Sequence, residues 1–249
     1  MIAETALEDR PEDGPGTAAM PADPRLIVAL DVPSVKDASA LVERIGDAVS
    51  FYKIGLELLA GEGMTLAKDL HQSGHQVFCD WKLHDIGNQV QRATSVIARS
   101  DACNFLTVHG EPQVMAAAVK GRGGSPMKLL AVTVLTSLTD EDLAELGYGF
   151  SAGDLVARRV RQALEIGCDG VISSPHEASI ARKIGGPGFL VVTPGVRPSG
   201  ASLDDQARAA DPAAALKAGA SHLVVGRPII AASDPRAAAQ AIVAEMSGS

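Results

Sequence analysis

The chain has 249 residues, 46% of them hydrophobic and 21% charged, with a formal net charge of -8. That length suits one large globular domain, and a single α/β barrel takes about 250 residues. The acidic balance argues against a broad nucleic-acid footprint, which needs clustered Lys and Arg, but leaves room for a small anion held by a few local cations.

Residues 1–22 read as a disordered N-terminal tail: acidic, rich in Pro, Gly and Ala, and without periodicity. They lack the basic start and apolar stretch of a signal peptide, and Met20 is an alternative start. From Leu26 onward short apolar runs alternate with helical patterns. Leu26–Asp31 reads as a strand and Val35–Ile45 as an amphipathic helix capped by Ser34. Ser50–Gly55 is a second strand, and a helix over Met64–Gln72 stops at Gly74. Gln76–Leu83 is a third strand, followed by a helical stretch to about Arg99. Phe105–His109 and Lys128–Leu135 are further strands, separated by a helix over Pro112–Lys120. Asp140–Gly149 is an insertion with some helical character, and Leu155–Ile166 is a helix closed by Gly167. Gly170–Ser173, Phe189–Thr193 and His222–Val225 complete the strands. Helices over His176–Ile184, Pro212–Ala218 and Pro235–Met246 follow them in turn, and a long polar loop spans Gly195–Ala209.

Apolar strands that alternate with helices imply a parallel sheet covered by helices. Eight such units over residues 23–249 favour a closed (β/α)8 TIM barrel, as one domain, over a doubly wound sheet. Aromatic residues make up only 3%, so the core is expected to be aliphatic. No run reaches the roughly 18 apolar residues of a membrane helix. Cys79, Cys103 and Cys168 lie far apart, without zinc spacing, and read as small buried thiols of a cytoplasmic protein.

A barrel of this kind carries its chemistry at the C-terminal ends of its strands. Asp31, Lys53, Asp80, Lys82, His109, Thr136, Ser137 and Arg227 all fall at or near such ends, with Asp85 just beyond the third. The densest cluster is D-W-K-L-H-D at 80–85, where a spacing of two points Asp80 and Lys82 the same way. A plain ion pair, with Asp85 at a helix N-terminus, explains that triplet taken alone. Lys53 on a neighbouring strand argues for more, because alternating charges gathered at one mouth perturb each other and mark active sites. Gly226-Arg227 after the eighth strand, with Arg197 in the loop after the seventh, suits a phosphate: glycine admits the anion and arginine offers a bidentate fork. A polar loop as long as Gly195–Ala209 reads as a lid.

Six segments, in order, resemble the orotidine 5'-phosphate decarboxylase family, especially its bacterial branch. They are LDV at 30–32, FYKIG at 51–55, FCDWKLHDIGNQV at 78–90, VTVLTS at 132–137, TPGVRPSG at 193–200 and VVGRPI at 224–229. The resemblance runs from about Leu26 to the C-terminus. It implies a cofactor-free, metal-free homodimer that converts orotidine 5'-phosphate to UMP. Asp31 and Lys53 would then meet the ribose, and Asp80 the substrate carboxylate. Lys82 would donate the proton. Asp85 and Ile86 would complete the neighbouring subunit's site. Thr136 would contact the pyrimidine, while Arg197, Gln206, Gly226 and Arg227 would hold phosphate. Trp81, Gly87 and Gln89 depart from the family's usual aliphatic residue, Pro and Thr; Gln89 still offers an amide to a ribose hydroxyl. Trp81 should point behind the barrel by strand alternation.

Two other readings share parts of this pattern. The D-x-K-x-x-D core also occurs in related metal-dependent sugar-phosphate decarboxylases and synthases. An inert nucleotide-binding barrel would keep the shape without turnover. Phosphate binding far from the reacting carbon would be used to close the loop and order the charges.

The tail yields a first prediction. A chain starting at Asp23 should match the full protein in turnover and melting temperature; a drop of many degrees would show that the tail docks on the barrel.

Overall fold

Strands buried on both faces need apolar residues at odd and even positions alike, and this chain supplies them. The computed structural model describes residues 22–198 and 210–248. The N-terminal tail, apart from Ala22, and Gln206 lie outside the described residues. Eight parallel strands close into a barrel in sequence order. They are β1 (Leu26–Ala29), β2 (Phe51–Ile54), β3 (Gln76–Leu83), β4 (Phe105–His109), β5 (Lys128–Val132), β6 (Gly170–Ile172), β7 (Leu190–Pro194) and β8 (His222–Val225). β8 pairs with β1 through Leu26–Leu223 and Val28–Val225, which leaves no sheet edge.

Alternation along the strands sorts the core into two layers. Leu26, Val28 and Leu30 face outward to the helices, whereas Ile27 and Ala29 face the barrel axis. The outer layer is dominated by aliphatic residues, as the composition implies. The interior departs from that expectation: three of the five phenylalanines, Phe51, Phe78 and Phe105, fill it side by side. Phe105 meets Phe51 and Phe78 edge-on, with centroids 4.9 and 6.0 Å away. A narrow closed barrel has room for a few large side chains, and rings on adjacent strands fill much of it.

Several boundaries differ from the sequence reading. β5 stops at Val132 rather than Leu135. There Thr133 turns its hydroxyl onto the Ile172 carbonyl, 2.7 Å away, and the chain leaves the sheet. The insertion forms a short helix, Asp140–Glu145, under a capping box of Thr139 and Asp142. Helices over Leu56–Ala60 and Arg227–Ile230 were not foreseen, being too short for a periodic pattern. Among the described residues no helix is long and apolar enough to cross a membrane. The three cysteines are buried and unpaired.

At the floor of the barrel stands His222, edge-on to Phe51 and Phe105 at 6.1 and 5.2 Å. Burial pushes its pKa down from 6.5 to about 4; the Asp23 carboxylate opposes this and Arg25 adds to it. The unfolded chain therefore takes up a proton near pH 6.5 that the folded chain refuses until about pH 4. Stability should fall as pH drops through that window and level off below it, by about 3 kcal/mol in all. His222→Gln should flatten this part of the pH dependence of urea unfolding. An unchanged slope would remove His222 as its source.

Candidate active site

The third strand carries the charged core of the site, and it does so by breaking its own pairing. Cys79 pairs with Leu106, yet Leu83 pairs with Val108, so β3 spends four steps where β4 spends two. The bulge places Lys82 in the left-handed region, at φ 46°, which a side chain rarely adopts. Its amide hydrogen, turned out of the ladder, donates to the Thr107 hydroxyl on β4 at 3.0 Å. Trp81 is buried in the outer layer, as alternation implied, and Lys82 turns to the mouth.

There the Lys82 ammonium lies 2.9 Å from Asp80 Oδ1, and the Lys53 ammonium lies 3.5 Å from Asp80 Oδ2. Lys53 also donates to Asp31 Oδ1 at 3.0 Å. The result is an alternating row, Asp31–Lys53–Asp80–Lys82, drawn from β2, β3 and the turn after β1. Asp80 and Lys53 are mostly buried, Lys82 less so, and Asp31 is over half exposed. Burial pushes the Asp80 carboxyl up. Lys53 and Lys82, with hydrogen bonds from Lys82 and Thr107, more than offset that and hold it below its ordinary value.

Two adjoining cavities open on this row and share Lys53, Asp80, Pro194 and Val224. The narrower, about 160 Å³, is largely apolar and runs past Phe78, Val132, Ile172 and Lys82 to Thr136. Thr136 sits in the turn beyond β5, not on the strand. The wider cavity, about 410 Å³, is bounded by Asp31, Gly195, Arg197, Gly226 and Arg227. Arg197 is buried and reaches the Val196 carbonyl at 3.3 Å. One end of the mouth is thus largely apolar and the other carries two arginines, with Lys53 and Asp80 of the charged row bordering both.

Other expected residues stand elsewhere. Asp85, Ile86 and Gln89 are exposed and line neither cavity. The Asp85 carboxylate accepts from the Ile86 amide at 2.6 Å, and forms no ion pair among the described residues. Ile86, 70% exposed, is an apolar side chain held out at the rim. His109 lies off the cavities, stacked on His84 at 4.6 Å. Burial lowers its pKa, with Glu111 opposing. Glu111 in turn holds Arg159 at 3.0 Å. Ser137 lies exposed in the turn with Thr136. Among the described residues no group of three or more His, Cys, Asp or Glu side chains is arranged to hold a metal.

Two contributors were missed in the sequence. Thr107 was hidden inside the apolar run of β4, where a lone hydroxyl was the only signal. Gly55 gives clearance to the charged row: a Cβ there would lie 3.2 Å from Asp31 Oδ1 and 3.3 Å from Lys53 Nζ.

The profile of the orotidine 5'-phosphate decarboxylase / HUMPS family matches residues 24–242. The chain belongs to that family. It is similar to the orotidine 5'-phosphate decarboxylase of Caulobacter sp. (strain K31), with 68% identity over 229 residues covering 92% of this chain and 100% of the relative. The enzyme of that name from Rhodopseudomonas palustris (strain BisB5) is 56% identical, covering 92% of this chain and 97% of its own. Among solved structures, orotidine 5'-phosphate decarboxylase from Lactobacillus acidophilus superposes with a TM-score of 0.78 at 36% identity. That match covers 90% of this chain and 99% of the other. The decarboxylase family match spans all eight strands, and so every described residue of the charged row.

The row makes a testable electrostatic statement. Because Lys53 is the first of the groups that lower the Asp80 carboxyl, Lys53→Met should move its titration upward. Carbon-13 NMR of the labelled carboxyl would read the midpoint. A midpoint that stays put would mean that Lys82 and Thr107 alone set it.

Proposed function

We propose that this chain decarboxylates orotidine 5'-phosphate to UMP and CO2. The observation that carries the reading is the Lys82 ammonium in the largely apolar slot, 2.9 Å from Asp80, a carboxylate that also borders the wider cavity with Arg197 and Arg227. The apolar slot suits a flat pyrimidine, with Thr136 at its rim. Arg197, Gly226 and Arg227 suit a phosphate, with Gln206 assigned to the same group from sequence. Lys53 borders both cavities and Asp31 the wider one, so a ribose spanning the two ends would meet them.

The reaction breaks the bond from a ring carbon to its carboxylate, and the electron pair stays on that carbon. A neighbouring ammonium stabilises the developing charge and then transfers its proton to it. Lys82 has that role. Asp80, facing the substrate carboxylate, adds ground-state repulsion. Phosphate binding at the far end supplies energy to hold the substrate against that repulsion. No cofactor or metal takes part in this scheme, and the setting is cytoplasmic.

The active unit is a homodimer. Asp85 has no cationic partner within its own chain among the described residues, and Ile86 is extended into solvent beside it. Their exposure supports a reading in which both enter a neighbouring mouth, where the partner subunit's Asp85 would flank Lys82 opposite Asp80. Gln89 would reach a ribose hydroxyl from the same segment.

The direct test is loss of orotidylate absorbance on adding chelator-treated protein, with UMP as product. Turnover that vanishes on chelation and returns with a divalent cation would instead favour the metal-dependent sugar-phosphate branch. Lys82→Ala and Asp85→Ala should each be nearly inactive while UMP still binds Lys82→Ala. Mixed and exchanged, they form about half hybrid dimers with one intact site each, so recovery should approach roughly a quarter. No recovery despite proven exchange would place Asp85 in its own subunit's site.

A further inference from the structure

We propose that Thr107, on β4, is a positioning residue for the reaction: its hydroxyl fixes both the backbone of Lys82 and the carboxylate of Asp80. Thr107 is fully buried and its Oγ1 lies 3.0 Å from Lys82 N and 3.0 Å from Asp80 Oδ1. The direction of each bond is forced. A backbone amide can only donate and a carboxylate can only accept, so the hydroxyl proton goes to Asp80. Asp80 Oδ1 is also the oxygen that accepts from the Lys82 ammonium at 2.9 Å. Lys82 is therefore held at both ends of its length, its amide by Thr107 directly and its ammonium through the carboxylate that Thr107 orients.

This double hold answers two costs of the bulge. Lys82 at φ 46° adopts a backbone that persists only when its surroundings over-determine it. Its amide has also left the β3–β4 ladder, where the register shifts between Cys79 and Leu83. A β-branched side chain suits the task, because two heavy atoms on Cβ restrict χ1 and hold the hydroxyl in one direction. Val108 and Leu106, its neighbours on β4, offer no such group. Thr107 lines neither cavity, so it acts through Asp80 and Lys82 and not on the substrate.

The inference rests on orotidylate decarboxylation at this row, and the test separates the two. Thr107→Val keeps the shape and removes the hydroxyl. We expect kcat to fall roughly tenfold to a hundredfold, the scale of one hydrogen bond to a charged group, with KM within about threefold. UMP affinity should hold, since Arg197, Gly226 and Arg227 are untouched. Removing a donor from the Asp80 carboxylate raises its pKa, so the acid limb of kcat should move to higher pH; a purely structural role would leave the limb in place. Thr107→Ser should restore most of kcat and return the limb. Thr107→Ala takes the same comparison if the valine variant fails to fold. Independently of turnover, exchange of the Lys82 amide hydrogen should accelerate in Thr107→Val. Retention of more than about a third of kcat, a serine variant as poor as valine, or unchanged Lys82 amide exchange would each overturn the proposal. An unmodified protein without turnover would sink the decarboxylase reading alone, and the amide exchange would still decide the clamp.

Discussion

A carboxylate shared by two ammonium groups is the constraint on which the mouth of this barrel depends. Asp80 is mostly buried, and an isolated buried anion would neutralise itself. Lys53 and Lys82 prevent this by approaching its two oxygens separately, at 3.5 and 2.9 Å. Lys82 in turn finds its ion-pair partner in Asp80. Asp31 adds a second acid to Lys53, so the row alternates in sign along its length. Such pairs are weak devices for stability, since desolvation consumes most of their attraction. Their value lies in placement. An ammonium held against a fixed carboxylate at a strand end is ready to stabilise an anion as it forms, with little reorganisation at that moment.

The barrel supplies the rigidity. Its interior is filled from below by Phe51, Phe78 and Phe105, so the charged groups stand on a packed platform. Closure of β1 on β8 brings Gly226 and Arg227 beside Asp31, although almost 200 residues separate them in the chain. The apolar and cationic cavities are then neighbours on one surface. Under the proposed function, a ligand with a ring at one end and an anion at the other would bridge them across the row.

Departure from regular structure is concentrated where the chemistry is proposed. β3 is the longest strand and the one whose pairing slips. A regular ladder would have given Lys82 a backbone partner and an ordinary φ. The bulge gives up both and aims the side chain. Asp85 and Ile86 follow immediately, exposed at the rim. One short segment thus carries groups for its own mouth and groups that face outward, as the proposed dimeric site requires.

The sequence alone determined the eight-unit alternation, the identity of the charged residues and their location at strand ends. Those properties are local: apolar runs, helix caps and polar residues that end a strand are all read from near neighbours. It also marked Trp81 as facing away, because alternation has a period of two. What only the tertiary structure decided depends on contacts between distant segments. β5 ends at Val132, and Thr133 then donates both its amide and its hydroxyl to the neighbouring Ile172 carbonyl, which no pattern within Lys128–Leu135 announces. The phenylalanine interior follows from how strands meet around the axis, not from their proportion in the chain. Thr107 was silent for the same reason. One hydroxyl in an apolar strand carries no meaning until the fold lays it against a bulge 25 residues earlier in the chain, where Lys82 needs a partner for its amide.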